Sequence, residues 1–476
     1  MTDITAGADA PSAPKGVNKL YFAAWRWHFY AGLFVLPFML ILAVTGLAMM
    51  LNTTLSNQLG YAPRVEVAGQ MLSPSAIARA AQGAVPGDVA QFITPEAPDR
   101  VAYVVIRDAS KAEPGVPAWK LPAMQVAVNP YTGEVLAVWD KTATIYAWAN
   151  DIHGSLLIGD TGDRIMEIAA SLTLLLIATG IYMWWPRGTA LGRALVPDLS
   201  KKGRALYKEL HVTGGIWVSA FLVLFILSGL AWTGIWGDKF VQPWSSYPPE
   251  KDAKFWSSDL THRDMNFGPL DEIPWGLEKT PMPESGTAEG EPGLPATSSL
   301  DAAVMWAQAN GFAGQYKVQL PAGEKGVYTV LRTSQGEDTI DPTQDRTVHF
   351  DRYTGKLLAD VGYDDYSLMA KAMAWGIALH KGLAGTWNFV VNLVLLAIIV
   401  MSSITGIVMW WKRRPSGAAR LAAPPMPSDV PLWKGAVLVA LVIAMAFPMA
   451  GLALIAVIAL DVIVLAKVPV LKRALS

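Results

Sequence analysis

Long apolar runs alternate with polar segments along this chain. The first four runs cover about residues 29–51, 165–185, 216–236 and 387–411. At about 1.5 Å per residue, helices of this length cross the hydrocarbon layer of a bilayer. The pattern therefore predicts four membrane-spanning helices. A fifth apolar block, 436–466, is interrupted near Pro448 and predicts two short spans joined by a tight turn, or alternatively a re-entrant hairpin.

Two long polar segments share one pattern. The first, 52–142, lies between spans one and two, and the second, 237–367, lies between spans three and four. Each begins with a serine that precedes a short helical pattern, Ser73 in the first and Ser299 in the second. Runs with β-like alternation follow at 101–106 and 327–331, and each segment closes in a Tyr-Thr-Gly turn, at 131–133 and 353–355. The pattern predicts two small α+β modules. Within the second, 278–295 is rich in Pro, Gly and Glu and predicts a flexible loop.

Lysine and arginine set the predicted orientation. They concentrate in the N-terminal tail, in the loops after the second and fourth spans, and at the C-terminus, all of which fall on one side if there are six spans. The positive-inside rule makes that side cytoplasmic, with the N-terminus there and both modules outside. The expected organisation is a disordered tail (1–20), span one (21–51), module one (52–142), an outer helix with span two (143–185), a cytoplasmic loop (186–209), span three (210–236), module two (237–367), an outer helix with span four (368–411), a second loop (412–432) and the hairpin (433–467).

Composition narrows the chemistry. The 476 residues are 52% hydrophobic and 16% charged, with a net charge of −1, so nothing favours nucleic acid as a partner. There is no cysteine, which excludes thiolate zinc sites, iron–sulfur clusters and covalently attached haem. Any cofactor must be held by other side chains. The 19 tryptophans include several at the ends of apolar runs, a distribution typical of membrane interfaces.

Histidines mark the ends of the four spans in a repeated arrangement. His28 and His211 begin spans one and three, and a glycine follows each after four residues, Gly32 and Gly215. His153 and His380 precede spans two and four, and a Thr-Gly pair follows each of them at nearly the same spacing, with its glycine at 180 or at 406. The chain is therefore a repeat of two units in the same sense, and their pseudo-twofold axis would lie along the membrane normal.

The four histidines form two predicted pairs, His28 with His211 at the cytoplasmic boundary and His153 with His380 at the outer one. Two opposed imidazoles suit a planar porphyrin with iron between them, and a glycine one turn away would make room for the macrocycle. We therefore expect two non-covalent haem b groups with these four residues as axial ligands. One such histidine alone would indicate an interfacial or capping residue, but four at symmetric depths favour haem. Zinc is disfavoured because two pairs a bilayer apart cannot share one tetrahedral ion.

Other residues admit two interpretations. Arg26, Arg164 and Lys381 lie beside proposed ligands and either pair with haem propionates or serve as snorkelling residues. The Trp-Trp pairs at 184–185 and 410–411 either help electrons to pass or anchor the interface, which is the favoured interpretation. His262 and His349 have no symmetric partners, so they are interpreted as surface histidines of the outer module. The role of Asp461, in the last apolar block, is open.

These features together resemble the PepSY-associated transmembrane family, to which bacterial ferric-siderophore reductases of the inner membrane belong. The resemblance covers about 20–414 and rests on the paired Tyr-Thr-Gly turns, on 153–155 (His-Gly-Ser), and on the closing Thr-Gly-Ile with Trp-Trp. It implies two b haems on the four histidines, PepSY-type outer modules and a bacterial inner-membrane location. The C-terminal hairpin departs from the four-span core of the family.

The expected function is a haem-dependent transmembrane oxidoreductase. Electrons from a quinol or a cytoplasmic reductase would enter at the inner haem and leave at the outer haem for a ferric siderophore. An external donor is required, since no flavodoxin-like or nicotinamide-binding domain is evident. The alternatives are a quinol or other small-molecule oxidoreductase of the same dihaem type, and a haem-free PepSY binding or protease-regulating membrane protein. The identity of the chelate, the donor and the oligomeric state lie beyond the sequence.

Overall fold

The computed structural model describes residues 19–56, 61–108, 122–188, 190–244, 261–265, 273–295, 298–414, 421, 423–424 and 434–460. The chain forms two compact units. The membrane unit comprises Met1–Val44, His153–Lys239 and Val391–Ser476, and the sheet unit comprises Thr45–Ile152 and Phe240–Val390.

The α-helices are α1 (Lys19–Thr54), α2 (Pro74–Ala84), α3 (Ile145–Ser155), α4 (Gly159–Trp184), α5 (Leu191–Ala194), α6 (Arg204–Leu230), α7 (Leu300–Ala309), α8 (Leu368–Lys381), α9 (Thr386–Arg413), α10 (Lys434–Ala446) and α11 (Pro448–Leu460). The strands are β1 (Gly87–Ile93), β2 (Ala102–Asp108), β3 (Ala123–Val128), β4 (Val135–Asp140), β5 (Lys317–Gln319), β6 (Val327–Arg332), β7 (Arg346–Asp351) and β8 (Leu357–Gly362).

Among the described residues, four helices are long and apolar enough to cross a membrane: α1, α4, α6 and α9. They correspond to the four predicted spans, although α6 ends at Leu230 rather than near 236. The chain is therefore a membrane protein with four candidate spanning helices. Inside the membrane unit, α1, α6 and α9 pack together through small and branched apolar side chains, Ala43, Val218, Leu395 and Ile399. Each helix leaves most of its apolar surface exposed, as a lipid-facing helix should.

A helical hairpin, α10 and α11, packs against α4 in the same unit. The first arm ends at Ala446, the two arms meet at Phe447, and Pro448 starts the second arm. The Phe447 ring stacks on Trp236, with ring centres 5.7 Å apart, and the Trp236 indole donates to the Ala446 carbonyl at 2.9 Å. The tip of the hairpin therefore lies beside the end of α6 that is remote from His211. Whether both arms cross the membrane stays a prediction, since Asp461 and the residues after it lie outside the described residues.

The eight strands in the described part of the sheet unit form one antiparallel sheet, in the order β4-β3-β2-β1-β5-β6-β7-β8. The first four strands and the last four strands run outward from its centre in the same sequence order. They join through β1 and β5, where Phe92 pairs with Val318 and the flanking pairs are Gln91 with Gln319 and Ile93 with Lys317. This register is symmetric about the central pair, so a local twofold axis would pass through it.

The helices α2 and α7 cover one face of the sheet. Serine side chains cap both, because Ser73 accepts the Ala76 N–H and Ser299 accepts the Ala302 N–H. Alternate apolar residues of the strands complete the core between helices and sheet: among them Phe92, Val104, Val126, Val318, Val330, Val348 and Phe350. The predicted helices at 74–80 and 300–309 and the predicted strands at 101–106 and 327–331 are thus confirmed, apart from residue 101, which precedes β2.

The segment 278–295 is irregular but packed. Leu277, just before it, is fully buried, and Glu291 exchanges two backbone hydrogen bonds of 2.8 and 3.0 Å with Leu357 of β8. At Gly355 (φ +70°) a β-carbon would lie 2.4 Å from the Leu294 carbonyl oxygen, so the Tyr-Thr-Gly turn requires glycine there. The prediction of a flexible loop is therefore corrected. The Pro- and Gly-rich composition serves close packing against the turn.

Candidate cofactor site

His28 on α1 and His211 on α6 face each other inside the membrane unit. Their ring centres are 6.3 Å apart and the ring planes are almost perpendicular, at 87°. Sequence reasoning paired these two residues from the repeat alone, and the structure brings them together. Each lies in a long apolar helix and is half-buried.

Hydrogen bonds at Nδ1 fix the orientation of both rings. His28 Nδ1 lies 3.0 Å from the Thr179 hydroxyl, whose own proton goes to the Leu175 carbonyl at 2.6 Å, so Nδ1–H is the donor. His211 Nδ1–H donates to the Ser402 carbonyl at 2.8 Å. In a neutral imidazole with a proton on Nδ1, Nε2 keeps its lone pair and can bind a metal. Both histidines are therefore prepared to coordinate through Nε2.

Glycines of the Thr-Gly pairs bring the opposing helices close to these rings. A β-carbon at Gly180 would lie 3.3 Å from His28 Cε1, and one at Gly406 would lie 3.4 Å from His211 Cε1. The glycines that the sequence suggested for this purpose behave differently. A β-carbon would lie 3.8 Å from Leu176 at Gly32 and would meet no atom within 4 Å at Gly215, which leaves open space beside His211. Of the Thr-Gly pairs, used in sequence only to identify the repeat, Thr179 is within hydrogen-bond distance of the His28 ring and both glycines lie close to a ring.

The geometry fits a metal between two axial imidazoles. With metal–nitrogen bonds of about 2 Å, two coaxial imidazoles place their ring centres roughly 6 Å apart, close to the separation here. Within the described residues no group of three or more His, Asp or Glu side chains is placed to hold a metal ion. A bare zinc site would need more protein ligands than this pair supplies, whereas a porphyrin brings four of its own. The donor set fits haem better than a lone ion.

The other two candidate ligands lie in different units. His153 is near the end of α3 in the membrane unit, and the two residues after Ser155, Leu156 and Leu157, adopt left-handed backbone (φ +53° and +61°). Such conformations are costly for leucine and are found where the surrounding structure imposes them. His380 is in the last turn of α8 in the sheet unit, which Gly382 closes with φ +80°. Both histidines thus precede tight connections to a spanning helix.

The three basic residues proposed as propionate partners each have a protein partner. Arg26 donates to the Pro424 carbonyl (2.7 Å) and to the Tyr30 hydroxyl (2.9 Å). Lys381 donates to the Gln335 carbonyl at 2.9 Å within the sheet unit. Arg164 pairs with Asp163 and lies 3.8 Å from Glu167. Their role towards a propionate stays a prediction.

Two carboxylates near the start of α4 have a role that the sequence did not predict, although Asp163 was considered as a cap of this helix. Glu167 is 1% exposed and accepts backbone N–H groups of Ile235 (3.2 Å) and Trp236 (3.0 Å), while Asp163 accepts the N–H of Gly234 (3.0 Å). Three consecutive N–H groups after α6 are therefore satisfied by side chains of another helix. The available signal was an acidic residue inside an apolar run, since such residues are costly in a membrane and are rarely incidental.

His262 and His349 are not surface histidines, and this prediction is corrected. Both are fully buried in the sheet unit, with Nε2 atoms 2.9 Å apart. The Thr280 carbonyl accepts from His262 Nδ1 (2.7 Å), so His262 Nε2 accepts from His349 Nε2–H, and His349 Nδ1 accepts from Thr329 (2.8 Å). Burial lowers the pKa of His262 to about 4, and burial together with the neighbouring imidazole also holds the pKa of His349 well below its usual value. The pair is neutral and joins the segment after 261 to β7.

The two members of each Trp-Trp pair, at 184–185 and 410–411, have different environments. The Trp184 indole donates to the Ala194 carbonyl at 3.2 Å, and the Trp410 indole donates to the Leu421 carbonyl at 2.7 Å. The second member of each pair, Trp185 or Trp411, is largely exposed. The first tryptophan thus folds the following loop back, and the second remains at the surface. Both roles are consistent with the interfacial anchors favoured from sequence.

Comparison with known proteins adds one match. A family model described as the PepSY-associated TM region matches residues 25–413. That range includes all four proposed ligands and ends before the C-terminal hairpin. No curated protein sequence matches the chain.

Proposed function

The chain belongs to the family of the PepSY-associated TM region, and from that premise we propose that it is a dihaem b-type transmembrane reductase. It would carry electrons from a quinol or a reductase on the cytoplasmic side to a ferric siderophore on the outer side. The observation that carries the proposal is the His28–His211 pair, with both Nδ1 atoms hydrogen-bonded and both Nε2 atoms available.

The chain's residues would hold and tune the inner cofactor. Thr179 and the Ser402 carbonyl accept the Nδ1 protons, which keeps both imidazoles in the ligating tautomer and raises their basicity. Gly180 and Gly406 let the helices approach the rings. Haem, when bound, supplies the one-electron redox chemistry. The outer pair, His153 and His380, is proposed from the repeat in the sequence.

The substrate in this proposal is the ferric chelate on the outer side. One electron converts ferric to ferrous iron, which siderophores hold less tightly, and the metal is released. The spanning helices provide the low-polarity path across the membrane, and the sheet unit is the candidate for docking the chelate. A quinol or other small-molecule oxidoreductase would use the same two cofactors with a different acceptor. A haem-free PepSY binding or protease-regulating protein would need none.

The decisive measurement is the haem content of the purified protein, by absorption spectrum and pyridine haemochrome. We expect about two haem b groups per chain. His28→Ala and His211→Ala should each lose the same one, so the double variant loses no more than either single variant. His380→Ala should lose the other. His262→Gln, in the sheet unit, is the matched histidine control and should keep both.

Absence of haem from the wild-type protein would refute the dihaem reductase and leave the haem-free alternative. Loss of both groups in the His28→Ala variant while the protein stays folded would refute the pairing. The acceptor needs its own experiment, in which the dithionite-reduced protein is mixed anaerobically with ferric siderophores. Reoxidation by quinone analogues but by none of the chelates would favour the small-molecule oxidoreductase.

A further inference from the structure

The loop between α4 and α6 folds back along the membrane unit instead of extending away from it. Two indole N–H groups hold it there. Trp184, at the end of α4, donates to the Ala194 carbonyl at 3.2 Å, and Trp217, on α6, donates to the Leu195 carbonyl at 2.9 Å. The short helix α5 and the residues after it are therefore fixed to both neighbouring spans.

The position of Trp217 sets the depth of this loop. Trp217 lies six residues beyond His211 on α6, which is about 9 Å further along the helix axis. Long side chains on helices point back towards the N-terminus, so the indole reaches the loop from inside the apolar run. The Leu195 carbonyl therefore lies near the level where the apolar part of α6 begins. Lys208 and Glu209, which precede His211, are the last charged residues of α6 before this apolar part.

The loop presents large apolar side chains to its surroundings. Leu191, Val196 and Leu199 are 54%, 67% and 68% exposed. Single exposed apolar residues are ordinary on soluble surfaces, but three so close together on a loop fixed at the edge of the apolar layer form a patch. Basic residues surround this patch and are exposed as well: Arg187, Arg193 and Lys202, together with Lys201, which is paired with Glu209.

We propose that residues 190–199 form an interfacial anchor in the lipid leaflet at this end of α4 and α6, which the lysine and arginine distribution predicts to be cytoplasmic. Leu191, Val196 and Leu199 enter the boundary between headgroups and acyl chains, and the surrounding basic residues contact anionic headgroups. This arrangement of apolar residues below and cations at the headgroup level is how monotopic segments bind membranes.

Lipid is favoured over a protein partner by the depth of the loop. A soluble protein would have to reach apolar side chains at the level of the bilayer surface, where lipid already covers them. The basic residues alone would suit an acidic protein such as an electron donor, but Leu191, Val196 and Leu199 would not be explained by charge. The anchor also does not depend on the haem proposal, since it uses none of the proposed ligands.

Because the chain has no cysteine, single cysteines can report the depth of each position directly. Val196→Cys and Leu199→Cys carry a nitroxide label in nanodiscs of phosphatidylcholine alone or with phosphatidylglycerol added. Glu324→Cys, exposed in the sheet unit, is the water-accessible control. We expect the loop labels to be several-fold less accessible than the control to a water-soluble relaxation agent and more accessible to oxygen. Phosphatidylglycerol should increase their immersion.

Two further variants test the parts of the proposal separately. Arg193→Gln with Lys201→Gln and Lys202→Gln should abolish the effect of phosphatidylglycerol while the labels stay immersed. Trp184→Phe with Trp217→Phe should release the loop and reduce immersion in both lipids. Labels at 196 and 199 that are as accessible to the aqueous agent as the control, in both lipid mixtures, overturn the anchor and leave the patch to a soluble acidic partner.

Discussion

The membrane unit has two halves, α1 with α4 and α6 with α9. Each half places a histidine of its first helix beside a Thr-Gly pair of its second helix, but the first helices end differently. In both, a threonine bonds back to its own helix and a neighbouring glycine contacts the ring: Thr179 and Gly180 for His28, Thr405 and Gly406 for His211. At the other end, α1 continues from His28 as far as Thr54, whereas α6 stops two turns sooner after His211, at Leu230. The halves agree at the proposed cofactor and diverge away from it.

The divergence has a physical cause in α4. After α6 the chain turns into a short π-helical segment, Trp236–Val241, and Asp163 and Glu167 accept the backbone N–H groups that lead into it. When Thr179 is aligned with Thr405, the corresponding positions of α9 are Phe389 and Leu393, whose side chains have no acceptor atoms. The early end of α6 also places Trp236 against the hairpin tip. The two halves therefore match around the His28–His211 pair and differ where the hairpin packs.

The largest expected effect follows from this difference. Glu167→Ala removes the acceptor of two buried N–H groups and a partner of Arg164, so it should destabilise the protein by about 3–5 kcal/mol. Leu393→Ala, the matched change in the other half, removes only partly exposed apolar surface and should cost about 1 kcal/mol or less. Thermal unfolding in detergent measures both, and Glu167→Gln should recover part of the loss. Equal midpoints for the two alanine variants would contradict the asymmetry.

The two halves of the sheet, β1–β4 and β5–β8, also differ at one buried position. Val126 and Val348 occupy the same register in their halves of the sheet, because they pair with Val104 and Val330. The next residue is Ala127 in β3 and His349 in β7, so the buried imidazole pair belongs to the second half. Arg263, beside His262, bonds to Gln242 and Glu278, so its charge is paired with that carboxylate rather than directed at the imidazoles.

The second prediction is a loss of stability on acidification, confined to the second half of the sheet. The folded pKa of His262 is lowered from 6.5 to about 4, so the unfolded chain binds the proton more tightly. Its contribution is complete above pH 6.5 and is lost as the pH falls towards 4, by at most about 3 kcal/mol. Hydrogen exchange, corrected for intrinsic rates, should show loss of protection in peptides of β7 but not of β3.

A variant separates the histidines from other acid effects. In the variant His262→Gln with His349→Gln these two side chains no longer titrate, so the acid-induced loss of protection in its β7 peptides should be much smaller than in the wild type. If the double variant retained the full acid response, the imidazole pair would not be its source.

The third and smallest prediction compares the two threonines, and it rests on the proposed haem. Thr179→Val leaves His28 with only the Leu176 carbonyl that also faces it, whereas Thr405→Val leaves His211 its Ser402 carbonyl at 2.8 Å. Loss of such a partner weakens metal binding by roughly tenfold or more, so Thr179→Val should release haem to apomyoglobin faster by about that factor. Thr405→Val should stay close to wild type. Equal release rates would mean that the threonine hydroxyl is not what orients His28.

Local patterns predicted much of this molecule, because they depend on residues close in sequence. Apolar runs located the four spanning helices, and serine caps located α2 and α7. The second span was predicted from about 165, but α4 begins at Gly159, so Asp163 fell outside it, and the single acidic residue that remained, Glu167, was overlooked. Its role depends on Ile235 and Trp236, which follow a different helix. The contact of His262 with His349, from separate parts of the chain, likewise required the fold.

The join between β1 and β5 has a consequence for synthesis of the chain. Ile93 pairs with Lys317, so β1 is made long before its neighbour on that side. Until β5 emerges, the first four strands have an open edge at what will become the centre of the sheet, and two spanning helices must be inserted in between. The unpaired N–H and C=O groups of an open edge can pair with strands of other chains, and strands that are far apart in sequence pair slowly. The nascent chain is therefore most prone to aggregation while the segment between Ile93 and Lys317 is being translated.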